Sequence, residues 1–313
     1  MHDIRTVTGP LDPAAVRGPA LAHEHLALDL RRDADRAAVL DGRHADAVAG
    51  ELAVLREEAG LSLVIELSCR GMGRDVTALA RISKDSGVPV VAATGWYYEP
   101  FHPSEVGRAG VEELTDTLVR EITEGIGPEG ILPGVIGEVG SHGDRPSEPE
   151  VRALKAAARA AVATGLSVVT HAQLGRGGAA QLALLTAEGL PPHRICVGHQ
   201  DLLDDPAVHR ELAARGAYVA FDTVGKESYQ SDTARLRLLL ALVAAGHADR
   251  ALLSCDISRH GYLRDEGGQG YGHLFRSFLP RLRAAGVDDD LIDLMTRRNP
   301  IRFLTGAHAE EAV

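Results

Sequence analysis

Six residues of the sequence have the side chains that hold metals or move protons, and each closes an apolar run. His23 and His25 lie two apart in residues 20–28, and Glu138 falls in residues 134–140. His171 falls in residues 166–172, His199 in residues 195–201 and Asp256 in residues 251–257. Four imidazoles and two carboxylates are the borderline nitrogen and oxygen donors that zinc, manganese and related divalent ions accept. One His-x-His pair alone is more often an ordinary feature of a strand. Six ionisable groups ending apolar segments are different, because such groups are seldom buried unless paired or coordinated. The set therefore predicts a metal centre, provided the fold brings its members together.

The segments that must do so alternate along nearly the whole chain. Short β-branched or apolar runs predict strands at 20–28, 61–69, 88–95, 134–140, 166–172, 195–201, 217–223 and 251–257. Amphipathic, alanine-rich stretches predict helices at 45–59, 76–85, 111–124, 149–164, 178–188, 206–214, 234–245 and 271–285. A last short helix at 288–297 is expected to end before Asn299-Pro300. The 149–164 stretch is the clearest, with Ser147 and Glu150 spaced as a capping box and Gly165 as its stop. Eight strand-helix units predict an α/β fold, a single-domain (β/α)8 TIM barrel of parallel strands spanning residues 1–313. An open doubly wound sheet is the runner-up, but no glycine-rich phosphate loop follows Leu26. Period-two alternation points His23 and His25 the same way, and all six donors lie toward the carboxyl ends of their strands, the face where barrels build active sites.

Composition narrows the partners. The 313 residues carry a formal net charge of −11, which disfavours nucleic acid and anionic membrane. Apolar runs such as 61–67 and 238–245 fall well short of the roughly 20 residues that span a bilayer. Residues 1–5 do not resemble the start of a secretory signal, so a cytoplasmic location is the expectation. Cys69, Cys196 and Cys255 form no CxxC pair and read as buried free thiols, with Cys196 and Cys255 turned toward the helices. His44, His193, His209, His247 and His308 read as solvent-facing, whereas His102, His142, His260 and His273 follow strand ends near the expected mouth. The glycine runs at 175–178 and 267–270 lack the lysine spacing of a P-loop and read as flexible loops.

The ordered set of motifs resembles the phosphotriesterase-like branch of the amidohydrolase superfamily over nearly the full length. The resemblance rests on Leu21-Ala22-His23-Glu24-His25, Ala93-Thr94-Gly95, Gly134-Val135-Ile136-Gly137-Glu138, Thr170-His171, Gly198-His199-Gln200-Asp201 and Ser254-Cys255-Asp256. It implies a distorted barrel with two divalent metal ions, zinc first, with Mn2+ or Co2+ as alternatives. On that resemblance His23, His25 and Asp256 hold the more buried ion, His171 and His199 the more exposed one, and Glu138 bridges them. Well-known phosphotriesterases bridge with a carboxylated lysine. A glutamate here resembles the subgroup known as phosphotriesterase homology or phosphotriesterase-related proteins. The family precedent also favours a homodimer.

The chemistry so implied is hydrolysis. Two cations about 3.5 to 4 Å apart share a water and lower its pKa to around 7. A metal-bridging hydroxide would then attack a small lactone, ester or amide, with Asp256 as the catalytic proton acceptor and phosphotriester cleavage as a side activity. No G-x-S-x-G elbow competes with this route. Lys226 and Arg259, after the seventh and eighth strands, are placed to clamp an anionic group of the substrate; the bland alternative pairs them with Glu227 or Asp265. Trp96 and Tyr98, with Tyr97 between them, are expected as pocket walls. Two other readings are a non-catalytic metal-containing binding protein and a mononuclear deaminase of the same superfamily.

Overall fold

The computed structural model describes residues 3–307; His308 lies outside the described residues. Eight parallel strands line the barrel: β1 (Ala20–Glu24), β2 (Leu63–Glu66), β3 in two pieces (Val90–Val91 and Ala93–Thr94), β4 (Val135–Ser141), β5 (Val168–Ala172), β6 (Ile195–Val197), β7 (Tyr218–Phe221) and β8 (Ala251–Leu253). Each pairs with its neighbours in sequence order. Asp256 N donates to His23 O at 3.2 Å, where the last strand meets the first.

The outer layer follows the periodicity of the sequence. Its helices are α1 (Ala45–Ala59), α2 (Val76–Ser86), α3 (Val111–Glu124), α4 (Glu148–Thr164), α5 (Gly178–Ala187), α6 (Pro206–Ala214), α7 (Asp232–Ala244) and α8 (Leu279–Ala284). The Ser147–Glu150 capping box forms, and Gly165 ends α4 in the left-handed conformation at φ 76°. Two hydrophobic layers result. One cluster draws a side chain from every strand, among them Ala22, Ile65, Val91, Val135, Val169, Cys196, Ala220 and Leu252, and fills the barrel. The other, with Leu52, Leu79, Leu118, Leu154, Leu182, Leu212 and Leu239, lies between strands and helices.

Three expectations need correction. Asn299-Pro300 does not end the C-terminal helix: a π-helical turn at Leu294–Arg298 runs directly into Asn299–Thr305. A second π turn, Leu274–Phe278, precedes Leu279-Pro280 in the same way. Proline lacks an N–H and crowds the carbonyl four residues back, and the wider π turn relieves that clash. Cys196 faces the barrel interior, not the helices, because counting back from His199 assumes a strand that has already ended at Val197. His209 is fully buried, its ring edge-on to Phe221 at 5.5 Å between centroids.

Except for β4, the strands are also shorter than the apolar runs, and two are irregular where it matters. In β1 the inward residues are Ala20 and Ala22, so unbroken alternation would turn His23 outward. A register shift between Leu21 and Glu24 reverses the phase and brings His23 and His25 inward. A shift in the β4–β5 pairing, at Gly137, likewise carries the inward face from Val135 to Glu138. Gly137 has φ 136°, and a Cβ there would lie 2.3 Å from the Val169 carbonyl oxygen.

Candidate metal centre

The six donors meet at the carboxyl ends of the strands, and all are buried. Glu138 is at the centre. Its Oε2 is 3.0 Å from His171 Nδ1, 3.3 Å from His199 Nε2 and 3.5 Å from His23 Nε2; its Oε1 is 3.3 Å from His25 Nε2. Asp256 Oδ1 lies 3.2 Å from His25 Nε2 and 4.0 Å from His23 Nε2. Among the described residues three donor groups are close enough to hold an ion: His23, His25 and Glu138; Glu138, His171 and His199; and His23, His199 and Asp222. Glu138 belongs to the first two.

Hydrogen bonds behind the imidazoles aim them. Asp222, at the end of β7, accepts from His23 Nδ1 at 2.7 Å with Oδ2 and from His199 Nδ1 at 2.9 Å with Oδ1. His25 Nδ1 meets Ser68 Oγ at 3.0 Å, and His171 Nε2 meets the Gln173 side-chain oxygen at 2.6 Å. Each ring therefore presents its other nitrogen to the centre, as metal-ligating imidazoles do. Asp222, Ser68 and Gln173 were missed by sequence reasoning. Asp222 carried the same signal as the six, a carboxylate closing an apolar strand. His199 and Asp256 adopt left-handed backbone at φ 56° and 49°, uncommon without glycine and frequent where a site over-determines the chain.

The electrostatics demand positive charge at the middle. Burial opposes ionisation of Glu138, yet the His171 and His23 imidazoles hold its carboxyl well below the usual range. Burial likewise opposes a charged His23, but Asp222 and Glu138 raise it to about 10. Asp256 and Glu138 raise His25 to about 9 against the same penalty. Burial keeps His171 below its ordinary value. Three carboxylates thus recruit protons onto neighbouring rings. Meanwhile His23 Nε2 and Asp256 Oδ1 are buried with no hydrogen-bond partner, and His171 Nδ1 faces His199 Nε2 at 2.9 Å. Divalent cations would answer all of these at once, so the residues fit the ions that the sequence implies.

A cavity of about 200 Å³ opens from this centre. Tyr97, Tyr98 and Phe101 form one wall, with Tyr98 stacked on His171 at 5.0 Å between centroids. Trp96 does not line it. The indole is buried, its Nε1 donating to Glu105 at 3.0 Å, and Tyr97 takes the expected place in the wall. Lys226 and Arg259 both reach the cavity, but their partners are not Glu227 or Asp265. Lys226 is buried and donates to Asp256 Oδ2 and, at 3.1 Å, to Ser258 Oγ. Arg259 pairs with Asp35 Oδ2 at 3.0 Å and lies over the Tyr262 ring. None of His102, His142, His260 and His273 lines the cavity; His142 instead stacks on the far side of Tyr98.

Comparison with known proteins decides the ancestry of this arrangement. The Phosphotriesterase family profile matches residues 2–304. The chain belongs to the Phosphotriesterase family. It is 37% identical over 292 residues to the phosphotriesterase homology protein of Escherichia coli, covering 91% of this chain and 97% of that one. The crystal structure of that E. coli protein, complexed with phosphate in its active site, superposes with a TM-score of 0.90 over 94% of this chain and 100% of the other. N-acetyltaurine hydrolase of Danio rerio is 31% identical over 272 residues, 83% of this chain and 77% of that one. A variant of a phosphotriesterase-like lactonase from Deinococcus radiodurans shares 30% identity with a TM-score of 0.85, covering 96% and 99%. Proteins similar to this chain are thus named as hydrolases, and the fold seen here is shared with the lactonase. No helix among the described residues is long and apolar enough to cross a membrane.

Proposed function

We propose that this member of the family is a hydrolase of two divalent ions, zinc first, acting on a small anionic lactone, carboxylic ester or amide. The observation that carries the reading is the sharing of Glu138 by two three-donor groups, beside buried nitrogen and oxygen atoms that lack any other partner. His23, His25 and Asp256 would hold one ion, His171 and His199 the other, and Glu138 both. When bound, such a pair acidifies a water and polarises the substrate's acyl or phosphoryl oxygen.

The protein's own groups do the rest. Asp256 Oδ1 faces the centre and takes the proton of the attacking water. Lys226 holds Oδ2 of the same carboxylate and fixes its direction; burial opposes ionisation of Asp256, but Lys226 and His25 hold the carboxyl well below its usual range. Water adds to the acyl carbon, the bond to the leaving oxygen or nitrogen breaks, and Asp256 delivers the proton to that atom. Tyr97, Tyr98 and Phe101 cover one side of the cavity and exclude water. On the other side Arg259 is the cation that meets the substrate's anionic group, because its pair with Asp35 is partly exposed whereas Lys226 is buried and held by Asp256. The relatives named for N-acetyltaurine and lactone hydrolysis support an acyl substrate, the former with an anionic end.

The test is metal analysis joined to a hydrolysis screen of phosphorylated sugar lactones, acyl lactones and N-acyl amino acids. Close to two ions per chain, turnover abolished by chelation, and loss of turnover in Asp256→Asn are expected. Bound metal without turnover across the panel would favour a non-catalytic binding protein, and one ion with Glu138 dispensable would favour the mononuclear reading.

A further inference from the structure

The connection from β1 to α1 folds back as a hairpin over the cavity. Leu28–Asp29 pairs antiparallel with Val39–Leu40, and the far end closes with reciprocal Arg32–Asp35 backbone hydrogen bonds of 3.0 Å. The base is buried through Leu28, Ala38, Val39 and Leu40, whereas the tip beyond Arg32 stands in solvent. One face of this hairpin, with Leu30, Arg32, Asp35 and Ala38, lines the cavity. It is tied down on both flanks. Arg32 stacks on Phe101 at 4.3 Å and donates to the Pro100 carbonyl, while Asp35 pairs with Arg259.

Arg259 is thus spoken for by a carboxylate from another loop, although its Nε remains buried without a partner. The pair is partly exposed, 28% for the arginine and 38% for the aspartate, so the attraction within it is modest and can be exchanged for a better anion. A substrate carboxylate, sulfonate or phosphate entering the cavity would compete for the guanidinium by presenting two oxygens to it.

We propose that Asp35 is a built-in competitor for the anionic end of the substrate. Occupation of Arg259 by the substrate releases the Asp35 side chain while Arg32 still holds the hairpin to Phe101 and Pro100, so Asp35 sets how strongly the site discriminates for charge. This rests on the reading of Arg259 given under the proposed function. If the Asp35–Arg259 pair is closed about nine-tenths of the time, it weakens anion binding roughly tenfold, since only the open fraction is competent.

The experiment is a calorimetric double-mutant cycle on the metal-loaded protein with inorganic phosphate as probe, comparing wild type, Asp35→Asn, Arg259→Gln and the double variant. Asp35→Asn is expected to bind phosphate about five- to tenfold more tightly, and the gain should vanish in the Arg259→Gln background. A hydrolysis arm should show a larger fall in KM for an anionic substrate than for its neutral analogue. Unchanged or weaker phosphate binding in Asp35→Asn, or a gain that persists without Arg259, would overturn the proposal. Because binding is read directly, the cycle stands even if no substrate in the screen is turned over. A screen that succeeds leaves the cycle free to fail on its own.

Discussion

Asp222 Oδ2 accepts a 2.7 Å hydrogen bond from His23 Nδ1, joining residues 199 positions apart. The other oxygen of the same carboxylate holds His199, so one buried anion orients an imidazole in each of the two donor groups that share Glu138.

Replacing Asp222 by asparagine keeps the shape but sets an amide N–H against one of those ring N–H groups. One imidazole must change tautomer or lose its support. Metal affinity should fall by about 10- to 100-fold, as is usual when such a partner is removed. Competition with a chelator, on protein whose circular dichroism is unchanged, measures it; wild-type affinity would disprove the role.

Glu138→Gln tests the shared donor. Without an anion between the two groups, metal content should drop from near two ions per chain to one or fewer, with hydrolysis lost in parallel. Treatment of the wild type with chelator should abolish turnover, and adding back zinc, manganese or cobalt should restore it. Elemental analysis after desalting gives the count.

Lys226 and Arg259 should separate kinetically. Lys226→Ala frees the Asp256 carboxylate and should lower kcat for charged and neutral substrates alike, by about 10- to 1,000-fold. Arg259→Gln should chiefly raise KM for anionic substrates, because the lost contact is made equally in the ground and transition states. Equal KM changes on charged and neutral substrates would remove Arg259 from the anion site.

Gly137→Ala should destabilise the barrel. Its φ of 136° costs a side-chain-bearing residue roughly 1–3 kcal/mol, before the contact with the Val169 carbonyl is counted. Thermal unfolding would show a lowered midpoint. An unchanged midpoint would mean that β4 can relax at this point.

The Glu121 carboxyl ties β3 and the segment after β2 to α3, accepting from Arg74, Thr94 and Arg70. Burial works against its ionisation, but Arg74 and its other donors hold it below the ordinary glutamate value of 4.5. A carboxyl so lowered stabilises the fold fully above its unfolded pKa and loses that contribution as pH falls through the folded one. The difference in melting temperature between wild type and Glu121→Gln should therefore be large at pH 7 and shrink below about pH 4.5. A difference independent of pH would contradict the charge pairing.

Much of the centre was legible because evolution had to interrupt apolar strands with ionisable residues, and His23, His25, Glu138, His171, His199 and Asp256 interrupt them in order. The first seven helices of the outer layer were legible within a residue or two, since their caps, such as Ser147 and Gly165, sit in the sequence itself, whereas the two that carry π turns were not. What escaped was phase. The shifts at Leu21–Glu24 and at Gly137 re-aim side chains by one residue, and only the neighbouring strand reveals them. Partners across loops escaped for the same reason. Nothing in the sequence near Arg259 announces that Asp35 reaches it, and Trp96 could be placed on a wall only by ignoring Glu105.

The left-handed turns at His199 and Asp256 fix where the scaffold ends. Up to those two points the chain is committed to aiming donors; beyond them it leaves the barrel rim in a set direction. Segments exchanged between relatives, or shortened and lengthened by design, should therefore be spliced after Asp256 and after His199 rather than at the visible ends of the strands. Cuts made earlier would reorient the donors along with the segment.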